Sequence, residues 1–192
     1  MADVLFGDYN PAGRLPVTFY KTELDLPEIT NYDMHAGKGR TYRYFKGEPL
    51  FAFGYGLSYT TFGYSGIKVE GSGADNRKVS VAVKNTGTRA GDEVVQLYIR
   101  RTDAPADDGL PVRALRGFKR VNLAPGETKI VVFTLPPFRF AFVDKNGVRR
   151  TEGEYEIAVG GSQTAAQIAT VRFETPILAP VYAHVAPAVK TE

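Results

Sequence analysis

From about residue 66 onward, apolar and polar positions alternate in short runs cut by turn residues. Ile67 and Val69 alternate with polar neighbours, and Val79, Val81 and Val83 do so again until Asn85-Thr86-Gly87 breaks the run. That pattern predicts two strands joined by a turn. Val94 to Ile99 places Val95, Leu97 and Ile99 on one face and Val94, Gln96 and Tyr98 on the other. Apolar groups on both faces predict a central strand. Leu115 to Leu123 reads as a strand and Pro125-Gly126 as a tight turn. Thr128 to Leu135 sets Val131, Phe133 and Leu135 against Ile130, Val132 and Thr134, which completes a hairpin. After Pro136-Pro137 the chain is expected to extend again over Phe138 to Val143 and to turn at Asp144-Lys145-Asn146-Gly147, an Asn-Gly signal. Tyr155 to Val159 and Ile168 to Phe173 bring the total to seven or eight strands. No helical period competes with them.

Short antiparallel strands with a turn about every ten residues predict a mainly β fold, an immunoglobulin or fibronectin type III-like sandwich of two sheets. Periodicity alone leaves a closed barrel open. The first 62 residues are different. They hold turn signals at Asn10-Pro11-Ala12-Gly13, Leu26-Pro27 and Gly37-Lys38-Gly39, with only short apolar runs such as Leu15 to Phe19. They also carry Tyr42, Tyr44, Phe45, Phe51, Phe53, Tyr55, Tyr59 and Phe62, with Tyr64 just beyond, on almost no periodic structure. Such rings need a covering surface. The expected organisation is an irregular segment 1–62, a sandwich 63–175, and a tail 176–192 whose Pro176, Pro180 and Pro187 favour an extended chain.

Composition narrows the chemistry. The 192 residues are 43% hydrophobic and 23% charged, the range of a packed globular chain. The absence of cysteine excludes disulfides, thiolate metal sites and cysteine nucleophiles. No run approaches the 18 or more apolar residues of a membrane span, and Met1-Ala2-Asp3 lacks the basic start of a signal peptide. The chain is expected to be soluble, and periplasmic or secreted if an upstream part carries a signal. Net charge is +3, and the excess lies in residues 66–175, with 17 basic against 13 acidic side chains. Arg113, Arg116, Lys119 and Arg120 are too dispersed for a phosphate-binding face, so no nucleic-acid partner is expected.

Several groups have residue types that could carry chemistry. Glu152, Glu154 and Glu156 share a strand face about 7 Å apart. Carboxylates on one face do not flank a sugar from opposite sides, and the expected role is an exposed charged face paired with Arg149 and Arg150. Asp107-Asp108 reads as a solvated loop tip rather than a cation site. His35 and His184 have no metal-ligand spacing. Gly54-Tyr55-Gly56 and Gly160-Gly161-Ser162 read as turns rather than phosphate loops, and Ser58 and Ser162 lack a nucleophile elbow. Two readings stand for the aromatic run: sugar-stacking surfaces, or core and interface anchors, the second being the commoner. Arg40 and Arg43 are expected to pair with carboxylates or rings. No catalytic, cofactor-binding or metal residue is assigned, and no cofactor is expected.

The segment Leu5-Phe6-Gly7-Asp8-Tyr9-Asn10-Pro11-Ala12-Gly13-Arg14-Leu15-Pro16-Val17-Thr18-Phe19 resembles the stretch that closes the second domain of family 3 glycoside hydrolases. Tyr32-Asp33-Met34, Gly39-Arg40-Thr41-Tyr42-Arg43-Tyr44-Phe45 and Pro49-Leu50-Phe51-Ala52-Phe53-Gly54-Tyr55-Gly56-Leu57-Ser58 follow in the family's order. Val83-Lys84-Asn85-Thr86-Gly87, Ala90-Gly91-Asp92-Glu93-Val94-Val95-Gln96-Leu97-Tyr98, Leu115-Arg116-Gly117-Phe118 and Gly153-Glu154-Tyr155-Glu156-Ile157 resemble its fibronectin type III-like domain. The resemblance implies a β-glucosidase or β-xylosidase type of retaining enzyme. Its aspartate nucleophile and glutamate acid/base would lie upstream, in a barrel and an α/β sandwich domain whose end forms residues 1–62. The chain is then expected to be a non-catalytic C-terminal region. The partners implied are those upstream domains, an oligosaccharide substrate, and a second copy of the chain through residues 40–62. A stand-alone carbohydrate-binding or interaction module is the competing expectation.

Overall fold

The computed structural model describes residues 2–105, 108–143, 147–164 and 166–174. Within them nine strands run in chain order as β1 (Phe62–Glu70), β2 (Arg77–Asn85), β3 (Gly91–Arg101), β4 (Ala114–Leu123), β5 (Thr128–Leu135), β6 (Phe142–Val143), β7 (Arg149–Arg150), β8 (Gly153–Gly160) and β9 (Gln167–Phe173). β1, β2 and β5 form one antiparallel sheet in that order. β4, β3, β8 and β9 form the second, also antiparallel. Two open sheets face each other, so the fold is a sandwich and not a barrel.

Alternation decides which side chains meet between the sheets. Val79, Val81 and Val83 of β2 and Val131, Phe133 and Leu135 of β5 point inward against Val95, Leu97 and Ile99 of β3 and Tyr155, Ile157 and Val159 of β8. Each such side chain contributes roughly 1.5–3 kcal/mol by leaving water. β3 is central, between β4 and β8. Its outer face is closed as well, because Gln96 and Tyr98 are buried.

One predicted strand is not formed as expected. Phe138 to Val143 does not extend throughout: Pro137–Phe140 is a 3-10 turn, and only Phe142–Val143 pairs, with β7. Pro137 fixes φ at the first turn position and favours the turn. The turn drops Phe140 into the end of the core, where its ring lies 5.5 Å from Tyr155 and 4.9 Å from Phe173. An alternating Phe138, Phe140, Phe142 pattern does not separate these cases over so short a run. Residues 144–146 of the expected Asn-Gly turn and the tail 175–192 lie outside the described residues.

Tyr155 is fully buried, and burial first of all pushes its phenol up to about 12. Its hydroxyl has no hydrogen-bond partner among the described residues. A buried, unpaired hydroxyl carries its desolvation cost uncompensated. Tyr155→Phe is therefore expected to stabilise the chain by about 1 kcal/mol, read from urea midpoints at constant m-value.

Residues 2–61 wrap the sandwich with little regular structure: a short helix at Ala2–Leu5, a 3-10 turn at Glu23–Asp25 and a second short helix at Thr41–Tyr44. The run 15–19 lies beside 51–55, tied by Leu15 N to Tyr55 O and Gly54 N to Leu15 O, both 2.8 Å, and by a bridge between Phe19 and Phe51.

Candidate functional site

A seam joins residues 2–61 to the sandwich, along the outer face of β3, β4 and β8 and at the ends of the two sheets, where Glu93 and Asn85 lie. Tyr42 stacks on Phe53 at 4.1 Å, and both rings meet Tyr98 edge-on at 6.3 and 6.5 Å. The Tyr42 hydroxyl accepts from Leu115 N at 3.2 Å, Gln163 Nε2 donates to Tyr42 O at 2.8 Å, and Val112 N donates to Arg43 O at 2.6 Å. The aromatic run is thus partly an interface anchor, with its cover supplied by the sandwich.

Buried polar groups fix the register of the seam. Glu93, 3% exposed on β3, accepts from Arg14 Nη2 at 2.5 Å and from the Tyr64 hydroxyl at 2.6 Å. Burial, and next the Glu93 charge, hold the Tyr64 phenol far above its usual range. Gln96 Nε2 donates to Gly54 O at 3.2 Å and Gly161 O at 2.7 Å, while its Oε1 accepts from the Tyr98 hydroxyl at 2.5 Å. At the end of β2, Asn85 is fully buried. Its amide donates to Arg89 O and Leu123 O, and its Oδ1 accepts from Thr60 Oγ1 and Gly87 N. For Glu93 and Gln96 the only signal in the sequence is a polar residue in a strand apolar on both faces, and Asn85 reads there only as a turn residue that ends β2.

The groups weighed for chemistry are dispersed. Glu156 is not on an exposed face: its side chain is 12% exposed and holds Arg100 at 2.8 Å and Arg113 at 2.6 Å. Glu152 pairs with Arg150 at 3.1 Å. Glu154 Oε1 accepts from Thr102 Oγ1. Neighbouring strand position therefore does not make them one carboxylate cluster. His35 lies 3.3 Å from Asp33 and 3.0 Å from Gly109 O, its ring against Tyr44. His184 and Asp107 lie outside the described residues. Asp108 N closes a turn on Pro105 O. Among the described residues no group of three or more potential ligands is placed to hold a metal. Ser58 Oγ donates to Asn10 Oδ1, and the Ser162 hydroxyl meets Thr164 Oγ1. Arg40 donates to three carbonyls, of Pro27, Glu28 and Asn31, rather than to a carboxylate. Arg43 lies over the Tyr44 ring. Arg116 lies over Phe142, Lys119 over Phe133, and Arg120 pairs with Asp92, so the basic residues of β4 form no common face.

Asp92 accepts from Asn122 at 2.6 Å and from Arg120 Nε at 2.7 Å. The Asn122 amide first, then Arg120, hold its carboxyl below the usual range. A depressed folded pKa gives stability that is present above the unfolded value near 3.9 and is lost as pH falls through the folded one. Asp92→Asn is expected to cost less than about 1 kcal/mol at neutral pH. The gap between variant and parent should close below about pH 4, in urea unfolding curves taken from pH 6 to 2.

Residues 2–61 also leave an apolar groove of about 880 Å³, which Arg14 of the seam borders. Leu5, Phe19, Phe51, Tyr55, Leu57 and Tyr59 line it and stay 37–73% exposed. Residues 1–59 match the glycosyl hydrolase family 3 C-terminal domain, and residues 93–163 match the fibronectin type III-like domain. A xylan 1,4-β-xylosidase of Xylanibacter ruminicola is 48% identical over 84% of this chain and 18% of its own length. A periplasmic β-glucosidase of Salmonella typhimurium is 42% identical over 70% of the chain and 19% of its own length. The chain belongs to glycoside hydrolase family 3. Among solved structures, β-glucosidase 3B of Thermotoga neapolitana superposes with a TM-score of 0.78 at 35% identity, over 91% of this chain and 26% of that one.

The chain spans about a fifth of the length of the curated family 3 relatives it matches. Its two matched regions correspond to the two sides of the seam: Gly54 and Arg14 belong to the first, Glu93 and Gln96 to the second. The buried contacts Arg14–Glu93 and Gly54–Gln96 therefore join the family's C-terminal domain to its fibronectin type III-like domain.

Proposed function

We propose that this chain is the non-catalytic C-terminal region of a β-glucosidase or β-xylosidase, in which residues 1–62 complete the α/β sandwich domain and residues 63–175 form a supporting β-sandwich. The observation that carries this reading is the divided build of residues 2–61. Part of the segment is fixed to the sandwich by buried polar contacts, and part presents an exposed apolar groove suited to the upstream domains of the same enzyme. Contiguous exposed apolar surface of this kind marks interaction sites. The carboxylates Glu152, Glu154 and Glu156 serve separate contacts of the sandwich, which supports placing the hydrolytic pair upstream.

A chimera tests the reading. This chain, grafted in place of the matching region of the Xylanibacter ruminicola xylosidase, is expected to give a folded, active enzyme, whereas the chain alone should leave aryl β-glucosides and β-xylosides intact. Leu57→Ser with Phe51→Ser is expected to lower the chimera's melting temperature by about 5 °C or more, two large apolar contacts being lost. The free chain should self-associate through the same groove in sedimentation runs, and the double variant should not. Turnover by the chain alone, or a chimera indifferent to the two serines, would end the proposal.

A further inference from the structure

A second cavity, of about 330 Å³, opens where the segment 42–52 crosses the ends of β3 and β4. Three cations line it, Lys46, Arg100 and Arg113, together with the rings of Tyr42 and Phe45 and the hydroxyl-bearing Thr18. Arg100 and Arg113 share one carboxylate, Glu156, at 2.8 and 2.6 Å. Lys46 has no carboxylate within ion-pair range among the described residues. Three positive groups thus meet one negative group, and the site is short of anionic charge.

Two polar atoms in the wall are also unsatisfied. Thr18 Oγ1 and Arg100 Nε are shielded from solvent and find no hydrogen-bond partner among the described residues. Buried donors and acceptors are normally paired, so these two leave the wall short of polar partners, and a ligand meets them only once the side chains turn toward the cavity. Arg113 is held rigid: it also donates to Gln163 O, so its guanidinium is positioned before any ligand arrives.

We infer that this cavity binds a monosaccharide carrying a carboxylate, of the hexuronate class. The volume is enough for one sugar ring. Aromatic and aliphatic walls suit the apolar faces of a sugar, and hydroxyl and amide groups suit its rim. The carboxylate answers the excess of Lys46 and Arg100. Inorganic phosphate would meet the charge but leave the apolar part of the lining, with Tyr42, Pro49 and Ala52, without a partner. The inference rests on the cavity alone and stands whether or not the chain supports a glycosidase.

Calorimetric titration of the 192-residue chain with D-glucuronate, D-glucose and inorganic phosphate tests it. Glucuronate is expected to bind saturably, with glucose and phosphate each at least about tenfold weaker, and affinity should fall as salt rises. Lys46→Gln, at an exposed position, and Arg100→Gln, which leaves Glu156 its Arg113 partner, should each weaken glucuronate about tenfold. Unchanged sandwich melting would show that both variants are folded. Equal binding of glucose, equal binding of phosphate, no glucuronate binding, or indifference of folded variants to Lys46 and Arg100 would each overturn the assignment.

Discussion

Replacing Glu93 with alanine is expected to destabilise the chain by about 3–4 kcal/mol, the largest single effect among its polar residues. Glu93 is buried on β3, and its two oxygens serve Arg14 and Tyr64 separately. Without it, the Arg14 guanidinium, whose side chain is 11% exposed, remains at the seam with its charge uncompensated. Tyr64 loses the acceptor for a buried hydroxyl at the same time. Breaking such a pair from one side costs far more than the pair is worth intact, because the surviving charge stays desolvated. Arg14→Met with Glu93→Ala should therefore cost clearly less than the sum of the single changes, with a coupling of about 1–3 kcal/mol in a double-mutant cycle. Additive losses would show that Arg14 and Glu93 act independently. Hydrogen exchange should locate the damage: amides of residues 10–20 lose protection before those of β2 and β3.

Gly54→Ala is expected to cost about 3 kcal/mol, which lowers the melting temperature by about 6–12 °C for a chain of this size. Gly54 has φ of +81°, where a side chain is strained by about 1–2 kcal/mol. An added Cβ would also fall 2.2 Å from Gln96 Oε1. The Gln96 amide has little room to retreat, because it is 3% exposed and engaged with Gly54 O, Gly161 O and the Tyr98 hydroxyl. Displacing it leaves buried groups unpaired at about 1–3 kcal/mol. Gln96→Ala should relieve the collision, so the double variant is expected to melt above the value predicted by adding the two single losses. Scanning calorimetry checks both numbers. A Gly54→Ala protein that melts within 1–2 °C of the parent would show that the loop adapts without disturbing Gln96.

Both predictions concern the seam, and the seam is where reading the sequence stopped short. Gly54 was legible only as a turn glycine. Its close approach to Gln96 depends on a residue 42 positions away. Alternation alone places Glu156 on an exposed strand face with Glu152 and Glu154. The strand instead turns Glu156 toward Arg100 on β3 and Arg113 ahead of β4. Local pattern reports which face a residue is on, and not whether another segment covers that face.

The strands and their inward faces were determined by the sequence, while their arrangement as two open sheets rather than a barrel was not. Alternation at Val79, Val81 and Val83, at Val131, Phe133 and Leu135, and on both faces of β3 sets strands, inward faces and the central position, because a period of two admits only one way to bury those side chains. The family motifs, read in order, likewise gave the class of the chain. Tertiary structure decided what periodicity does not carry: that Pro137–Phe140 turns instead of extending, that Tyr42 and Phe53 lie on Tyr98 while Phe51, Tyr55 and Tyr59 face the open groove, and that Arg14 meets Glu93 across 79 residues. Those outcomes depend on which surfaces come together in space, and contacts between distant segments leave no period in either one.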